Sequence, residues 1–325
     1  MSQNNGGSTA DIESGDASAD AALIARICWY YFKEGQTQDA IAQRLKITRK
    51  RVNRILGDAR ENGFVQITIT DPVGVCVALE AGLVERFGLR RAIVVPAPMA
   101  ETDVRVFLGA AAGRYVSEAL PPAGSLGITW GGTINAAAQN VKRRARDGSR
   151  VVLLCGGLAQ GTHVNPFDNA AMMARALDAT CYYVTAPMFA ETPALRDALV
   201  ASEPVRSVLA MVPKLDLALL SAIDLSEQSK ALEYGVISRE TCRSLLDAGA
   251  VGDICGHYLN ADGQVIEHPL TARVVNPALK DLLAIKERVL AAGGLQKTAI
   301  IRAAIRAGLC DVLITDESAA RELIA

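Results

Sequence analysis

The chain has 325 residues, half of them hydrophobic, and a formal net charge of −1, a length that suggests about two domains of ~150 residues. No apolar run approaches the ~18 residues of a membrane span, and the N terminus lacks the basic and apolar regions of a signal peptide. Seven cysteines form no C-x-x-C pair, so we expect a cytoplasmic protein with reduced thiols and no membrane partner.

The first 20 residues differ from the rest of the N-terminal region in charge. Residues 1–20 hold four acidic residues, no Lys or Arg, and almost no large apolar side chain, a composition that predicts a disordered tail. Residues 21–70 hold nine basic and four acidic residues. This asymmetry indicates a nucleic-acid partner for one part of the chain only.

The basic segment shows the pattern of three short helices. Apolar residues recur at helical spacing from residue 21 to residue 32, and Gly35 is suited to end that helix. Thr37 and Thr48 can cap two further helices around the short break "LKIT", and Gly63 can end the second of them. "FVQITIT" alternates like a strand. Residues 21–70 are therefore predicted to form a winged helix-turn-helix DNA-binding domain.

The last of these helices presents polar side chains opposite its apolar face. That geometry leaves Lys50, Asn53 and Arg54 free to reach base edges in a major groove, where Asn suits adenine and Arg suits guanine. Basic residues around them suit phosphates. The predicted DNA contacts are Arg44, Lys46, Thr48, Arg49, Lys50, Arg51, Asn53 and Arg54. A charged helix that is only solvated is the alternative.

From residue 71 onward, short β-branched runs alternate with helical stripes. The strand-like runs include "RRAIVVP", "SLGIT", "RVVLLC", "CYYVT", "LDLALLSA", "RVLAAGG" and "CDVLITD". Such alternation predicts a mostly parallel sheet covered on both faces, so residues 71–325 are expected to form a Rossmann-like α/β effector domain. "VGDICGHYL" is predicted as one strand, paired with "QVIEH" across the turn "NADG".

Glycines follow three of the predicted strands, where ligands of parallel sheets bind. Gly131-Gly132-Thr133 opens a helix, Gly156-Gly157 follows a second strand, and Gly293-Gly294 precedes Lys297 in the first turn of another helix. Glycines admit an anion close to the backbone, and a helix N-terminus supplies N–H donors. A lysine there opposes the helix dipole, which a bound phosphate would offset. A plain tight turn and a water-exposed lysine are the alternatives.

An acidic residue interrupts one otherwise apolar run. The Asp253 carboxylate could accept hydrogen bonds from sugar hydroxyls, and a water-facing acid on an edge strand is equally compatible with the pattern. His163, His257 and His268 lack metal-ligand spacing. No metal site and no cofactor is predicted.

Four stretches carry a resemblance to a known family. They are "YYFKEGQTQDAIAQRLKITRKRVNRIL", "GITWGGT", "VGDICGHYLNADG" and "GGLQKTAIIRAAIRAGLCDVLITDESAARELI", and they resemble the SorC family of bacterial sugar-responsive transcriptional regulators. The resemblance implies a winged helix joined to an effector domain like the glucosamine-phosphate and ribose-phosphate isomerase folds. It also implies tetramers built from dimers, and a phosphorylated sugar held by Gly131-Gly132-Thr133 and Lys297, with Asp253 at its hydroxyls.

One strand end departs from that family pattern. Family members often have a Gly-Ile-Gly-like sequence where this chain has Ser221-Ala222-Ile223. Side chains at these positions are expected to narrow or reshape the ligand pocket.

We therefore predict a transcriptional regulator, not an enzyme, that binds operator DNA as a homodimer or homotetramer. The effector is predicted to be a phosphorylated sugar or polyol that contacts Gly131, Gly132, Thr133, Gly156, Gly157, Asp253 and Lys297. A sugar-phosphate isomerase or aldolase-like enzyme with an appended DNA-binding unit is the alternative. Isomerisation needs a positioned general base, for which Asp224 is the nearest, isolated candidate. A DNA-packaging protein would have no use for a large α/β domain.

Overall fold

Two compact units make up the chain in the computed structural model, residues 1–68 and residues 69–325. The structure describes residues 10–65, 73–97, 103–142, 148–159 and 165–325. The predicted domain boundary at residues 70 and 71 and most of the predicted wing strand lie outside these residues. No helix in the described ranges combines the length and apolarity needed to cross a bilayer.

Within residues 10–65, the N-terminal unit contains the helices α1 (Ala10–Phe32), α2 (Gln38–Leu45) and α3 (Arg49–Glu61). Helix α1 starts inside the range 1–20 for which composition predicts disorder. Alanine, the strongest helix former, occupies five of the positions from 10 to 22, which favours this extension. The three helices enclose a small core that includes Ile27, Ile41 and Val52.

Side-chain caps define the turn between α2 and α3. Thr37 Oγ1 accepts a hydrogen bond from the Ala40 N–H, and Thr48 Oγ1 accepts one from the Arg51 N–H, both at 3.2 Å. Gly35 ends the segment before them in a left-handed conformation with φ of 64°. The predicted caps are present, because both threonines satisfy N–H groups that an uncapped helix would leave open. The assignment of this unit as a winged helix-turn-helix DNA-binding domain stays a prediction.

A mostly parallel sheet forms the centre of the C-terminal unit. Its strands in the described residues are β1 (Arg91–Val95), β2 (Ser125–Ile128), β3 (Arg150–Leu153), β4 (Thr180–Tyr182), β5 (Leu217–Asp224), β6 (Gly252–Ile254), β7 (His257–Leu259), β8 (Arg288–Ala291) and β9 (Val312–Asp316). Seven of them lie side by side in the order β1-β9-β8-β5-β2-β3-β4. Strand β6 pairs antiparallel with β5, and β7 pairs antiparallel with β6. The strand residues are largely buried on both faces, as a parallel sheet between helix layers requires.

The helices of this unit connect and flank the strands. They are α4 (Val73–Phe87), α5 (Val104–Ala119), α6 (Gly132–Asn140), α7 (Pro166–Leu177), α8 (Pro193–Ala201), α9 (Glu203–Leu209), α10 (Lys230–Glu233), α11 (Arg239–Asp247), α12 (Leu279–Leu283), α13 (Thr298–Arg306) and α14 (Glu317–Ile324). The predicted α/β fold class is confirmed.

One strand prediction is wrong. The run "VGDICGHYL" forms two strands, β6 and β7, joined by a tight turn at Cys255 and Gly256 with φ of 53° and 79°. A turn with two positive φ angles suits a two-residue hairpin. Cysteine is an unusual residue for such a conformation, which is why the turn gives little sequence signal. The turn predicted at "NADG" is present and leads to the antiparallel bridge between Leu259 and Val265.

Helices α5 and α6 pack unusually closely. A Cβ at Gly109 would lie 2.3 Å from the Ala136 Cβ, and a Cβ at Gly113 would lie 2.5 Å from the Ala137 carbonyl oxygen. Both distances are too short for any other residue at the observed spacing. The two glycines therefore set the approach of α5 to α6, and hence the position of the N-terminus of α6.

We expect Gly109→Ala to lower the free energy of unfolding of the C-terminal unit by about 1–3 kcal/mol, because the added methyl meets backbone atoms that cannot move aside. The check is calorimetric unfolding of the variant beside Gly57→Ala in α3, where a Cβ meets nothing within 4 Å. That control should stabilise its own unit by about 0.5–1 kcal/mol. A Gly109→Ala protein as stable as the wild type would contradict the packing argument.

Candidate functional site

All eight residues predicted to contact DNA are exposed. Lys50, Asn53 and Arg54 lie on the face of α3 opposite the buried Val52 and Leu56. The predicted orientation of the helix is therefore present, and the assignment of these residues to DNA stays a prediction.

Several of the exposed cations are held by neighbouring side chains. Arg44 forms an ion pair with Glu34 at 3.3 Å and lies over the Tyr30 ring, and Arg49 pairs with Asp39 at 3.2 Å. By contrast, the described structure gives Lys50 and Arg54 no ion-pair or hydrogen-bond partner. A surface ion pair costs little free energy to break, so the paired arginines can still bind a ligand. Lys50 and Arg54 have no ion pair to break, and their donors are directly available.

In the C-terminal unit, the helix that follows β2 begins without a side-chain cap. Gly131 has φ of 110°, a conformation that disfavours other residues, and it leads directly into α6. Thr133 is buried, yet its hydroxyl has no hydrogen-bond partner in the described part of the chain. The first N–H groups of α6 and this hydroxyl together provide unsatisfied donors at one point, as an anion site requires.

Hydrogen bonds from neighbouring elements hold this loop in place. Asn169 in α7 is fully buried and donates its amide to the Gly131 carbonyl oxygen at 3.2 Å. Ser221 donates its hydroxyl to the Trp130 carbonyl oxygen at 2.7 Å, and Thr129 Oγ1 accepts from the Ser221 N–H at 2.9 Å. Ser221, part of the departure from the family pattern, thus acts as a support for the glycine loop.

The predicted lysine lies near the same strand end. Lys297 closes a short 3₁₀ turn before α13, and its Nζ donates to the Ala222 carbonyl oxygen in β5 at 2.8 Å. Desolvation lowers the pKa of Lys297, whereas the charge of Asp224 raises it and that of Arg105 lowers it. The lysine is therefore anchored among charged neighbours, and the alternative of a lysine that only reaches into water is excluded.

The predicted acidic residue lines a narrow pocket. Asp253 is 6% exposed, and its Oδ1 accepts a hydrogen bond from the Gly256 N–H at 2.6 Å. Burial raises the pKa of the Asp253 carboxyl to about 7, although the bond from Gly256 lowers it. The other walls are mostly apolar and include Trp130, Cys155, Met188, Phe189, Ile223 and Tyr258. The alternative of an edge-strand acid facing water is excluded.

The second pair of predicted glycines is tightly packed. The Gly156 N–H donates to the Val275 carbonyl oxygen at 3.0 Å, and the Gly157 N–H donates to the Ala186 carbonyl oxygen at 2.8 Å. A Cβ at Gly157 would lie 2.0 Å from the Phe167 ring. Packing alone accounts for both glycines, and their contact with an effector stays a prediction.

An arginine from α5, which no sequence pattern marks, lies at the start of α6. Arg105 contacts Gly132 so closely that a Cβ on this glycine would lie 2.7 Å from Arg105 Nη1. Its Nε donates to Asp103 Oδ1 at 2.9 Å and to Oδ2 at 2.7 Å. No local motif marks this residue, because the contact depends on the packing of two helices that are separate in the sequence.

No group of three or more potential metal-ligating side chains occurs within the described ranges. Asp224, the candidate base of the enzyme alternative, accepts a hydrogen bond from the Ser226 N–H at 3.1 Å.

Comparisons with known proteins bear on the whole chain. Residues 71–325 match the family described as "Putative sugar-binding domain". The erythritol catabolism regulatory protein EryD of Brucella abortus (strain 2308) is 31% identical over 311 residues, which cover 95% of this chain and 98% of that protein. The deoxyribonucleoside regulator of Bacillus subtilis (strain 168) is 28% identical over 317 residues, which cover 97% and 99% of the two chains.

Solved structures show the same architecture. A DeoR family transcriptional regulator from Listeria monocytogenes superposes with a TM-score of 0.72 at 28% identity, over 78% of this chain and 100% of that one. The full-length sorbitol operon regulator SorC from Klebsiella pneumoniae shares the fold with a TM-score of 0.70 at 23% identity, over 94% of this chain and 100% of that one. These relatives are regulators, which decides against the isomerase or aldolase alternative. The chain belongs to the SorC family of sugar-binding transcriptional regulators.

Proposed function

We propose that this regulator binds operator DNA through α3 and that a phosphorylated sugar or polyol, bound at the carboxyl edge of the sheet, changes its DNA affinity. The observation that carries the proposal is the uncapped N-terminus of α6, which has the unpartnered Thr133 hydroxyl beside it and Lys297 at the adjacent strand end. These groups supply hydrogen-bond donors and positive charge of the kind that phosphate monoesters require.

The polyhydroxylated part of the effector would lie toward Asp253. A carboxyl group accepts hydrogen bonds from hydroxyls in either protonation state, and the apolar walls around it suit the C–H faces of a small sugar. Trp130 connects the two regions, since it lines the pocket and directly precedes Gly131. Gly156-Gly157 would contribute shape at the pocket rim, because their N–H groups are already bonded within the protein.

The names of the relatives support a small effector. EryD is named for erythritol catabolism, and the Bacillus subtilis relative is named a deoxyribonucleoside regulator. Erythritol is a small polyol, whereas a deoxyribonucleoside is a sugar joined to a nucleobase. The proposal for this chain is a small polyol or sugar, with the phosphate argued from the site itself.

Assembly is part of the proposal because a single helix-turn-helix has a small footprint on DNA. Two recognition helices on half-sites about one DNA turn apart are needed for useful affinity, so the working form is a homodimer or homotetramer. Binding of the effector would alter the relation between subunits. A preference of about 1–3 kcal/mol for one arrangement changes DNA affinity about 5- to 150-fold. The cytoplasm, where the operator is, is the proposed location.

For the DNA surface, we expect Arg54→Ala to reduce discrimination between operator and non-operator DNA by about 1–3 kcal/mol, because a bidentate base contact is lost. Lys46→Ala should weaken binding to all sequences alike and flatten its salt dependence. Quantitative footprinting measures both effects, and two protected half-sites would indicate at least a dimer. Unchanged discrimination in Arg54→Ala would show that a different face of α3 reads the bases.

For the effector site, a thermal-shift screen of sugar phosphates, polyol phosphates and their unphosphorylated parents identifies the ligand. Lys297→Met should then weaken the binding of that ligand by about 1.5–3 kcal/mol, because a charge-assisted hydrogen bond contributes about this much. Operator binding without ligand should persist. Lys280→Met, on an exposed position of α12, is the control. DNA titrations in which Lys297→Met responds to the ligand like the wild type would remove this lysine from the site.

For Asp253, the sign of the pH dependence follows from its raised pKa. The folded protein retains a proton up to about pH 7, whereas the unfolded chain loses it near pH 3.8. The free energy of unfolding therefore falls as the pH rises through this window. Asp253→Asn should remove the fall, which is on the order of a few kcal/mol, whereas Asp247→Asn at an exposed position should not. The measurement is the free energy of unfolding at pH 5 and at pH 8 for the wild type, Asp253→Asn and Asp247→Asn. The same change between the two pH values in all three proteins would contradict the raised pKa of Asp253.

A further inference from the structure

Arg105 is positioned by the packing of α5 on α6. The contacts between the helices advance together by one turn: Arg105 lies on Gly132, Gly109 meets Ala136, and Gly113 meets the turn that contains Asn140. The two helices thus run in the same direction with their turns in step. The glycine contacts at Gly109 and Gly113 set the spacing of the two helices over two successive turns. One turn nearer the N-termini, this spacing holds the Arg105 guanidinium against Gly132, the first residue of α6.

The guanidinium is oriented by a carboxylate at one edge. Asp103 caps α5 by accepting from the Arg105 N–H at 3.0 Å, and it also binds Nε and Nη2 of the same residue. Nη1 is the atom directed at Gly132. Bonding to Asp103 raises the pKa of Arg105 further above its usual value, and the Tyr234 hydroxyl contributes in the same sense. A guanidinium fixed in this way loses little conformational entropy when it binds a ligand.

Two cations, Arg105 and Lys297, act on each other at this point, and Asp103 and Asp224 are the carboxylates that act on Lys297. The more distant Lys230 is paired with Glu233. The formal charges therefore balance, and the positive end of the α6 dipole is the part that no carboxylate offsets. A cation at a helix N-terminus is unfavourable by itself, so the arrangement favours an anion that contacts the helix end and the arginine together.

The segment around Tyr234 joins this point to the sugar pocket. Tyr234 interacts with Arg105, and its neighbours Ala231 and Val236 line the pocket that contains Asp253. A ligand with an anionic group at Arg105 and hydroxyls at Asp253 would therefore occupy one continuous site. The anion and the polyol end would be recognised by separate elements.

We propose that Arg105 is a specificity-determining residue that binds the phosphate monoester of the effector at the N-terminus of α6 and so selects phosphorylated over neutral sugars and polyols. This inference rests on the proposed function and adds a second cation to the site. Lys297 donates one of its three hydrogens to Ala222, and Arg105 supplies the planar donor group that matches two phosphate oxygens.

The test uses the full-length protein with inorganic phosphate as the probe and sodium chloride at equal ionic strength as the reference. Phosphate should raise the melting temperature of the wild type in a saturable way. Arg105→Gln should need a phosphate concentration about tenfold higher, or more, for the same rise in melting temperature, because a charge-assisted hydrogen bond is lost. Arg114→Gln, the same charge change at an exposed position of α5, should respond like the wild type.

Asp103→Asn separates binding from a structural role. It removes the carboxylate that competes for the guanidinium, so phosphate affinity should be kept or increased. If Arg105 served only as a partner of Asp103, both variants would lose phosphate affinity together, and the proposal would be overturned. Melting temperatures and near-UV spectra without phosphate verify that each variant is folded.

The outcomes distinguish this inference from the proposed function. Equal phosphate affinity in wild type and Arg105→Gln would overturn the role of Arg105, while a sugar-phosphate response in DNA binding would leave the regulator intact. A wild-type protein that does not respond to phosphate but does respond to a neutral polyol would also overturn the role of Arg105. It would leave intact the proposal of a regulator controlled by a carbohydrate. A wild type that responds to no compound of the screen would overturn both.

Discussion

The close approach of α5 to α6 is the constraint on which the candidate effector site depends. Gly109 and Gly113 allow the two helices to pack backbone against backbone, and this fixes where α6 begins. Because α6 follows the central strand β2, its N-terminus comes to the edge of the sheet where β5 and β6 also present Ala222 and Asp253. The packing at these two small residues therefore determines where the N–H donors of α6 lie and places Arg105 beside them.

Polar support around the glycine loop complements that packing. A buried amide in α7 and a hydroxyl in β5 both bind carbonyl oxygens of residues 130 and 131. These bonds use the carbonyl oxygens of the loop and none of its N–H groups. Carbonyl oxygens of the loop are thus satisfied from within the protein, an arrangement compatible with the proposed effector site.

Much of this could be predicted from the sequence, for identifiable reasons. Thr37 and Thr48 carry local capping chemistry, and the alternation of apolar strands with helical stripes reflects a sheet buried on two faces. The turn at Cys255 was missed because the residue gives no turn signal. Arg105 was missed because only tertiary packing brings it to Gly132. Patterns within a dozen residues were recoverable, whereas contacts between distant helices were not.

The anchoring of Lys297 on a main-chain carbonyl affects how this effector domain can change. The acceptor belongs to the backbone of residue 222, so it survives almost any replacement of the side chains on that strand end. Ser221 and Ile223 can therefore vary, reshaping the loop support and the pocket wall, while the lysine keeps its position. If the proposed effector site is right, recognition of the charged group and recognition of the carbon skeleton can diverge independently, and the ligand can change while the lysine stays in place.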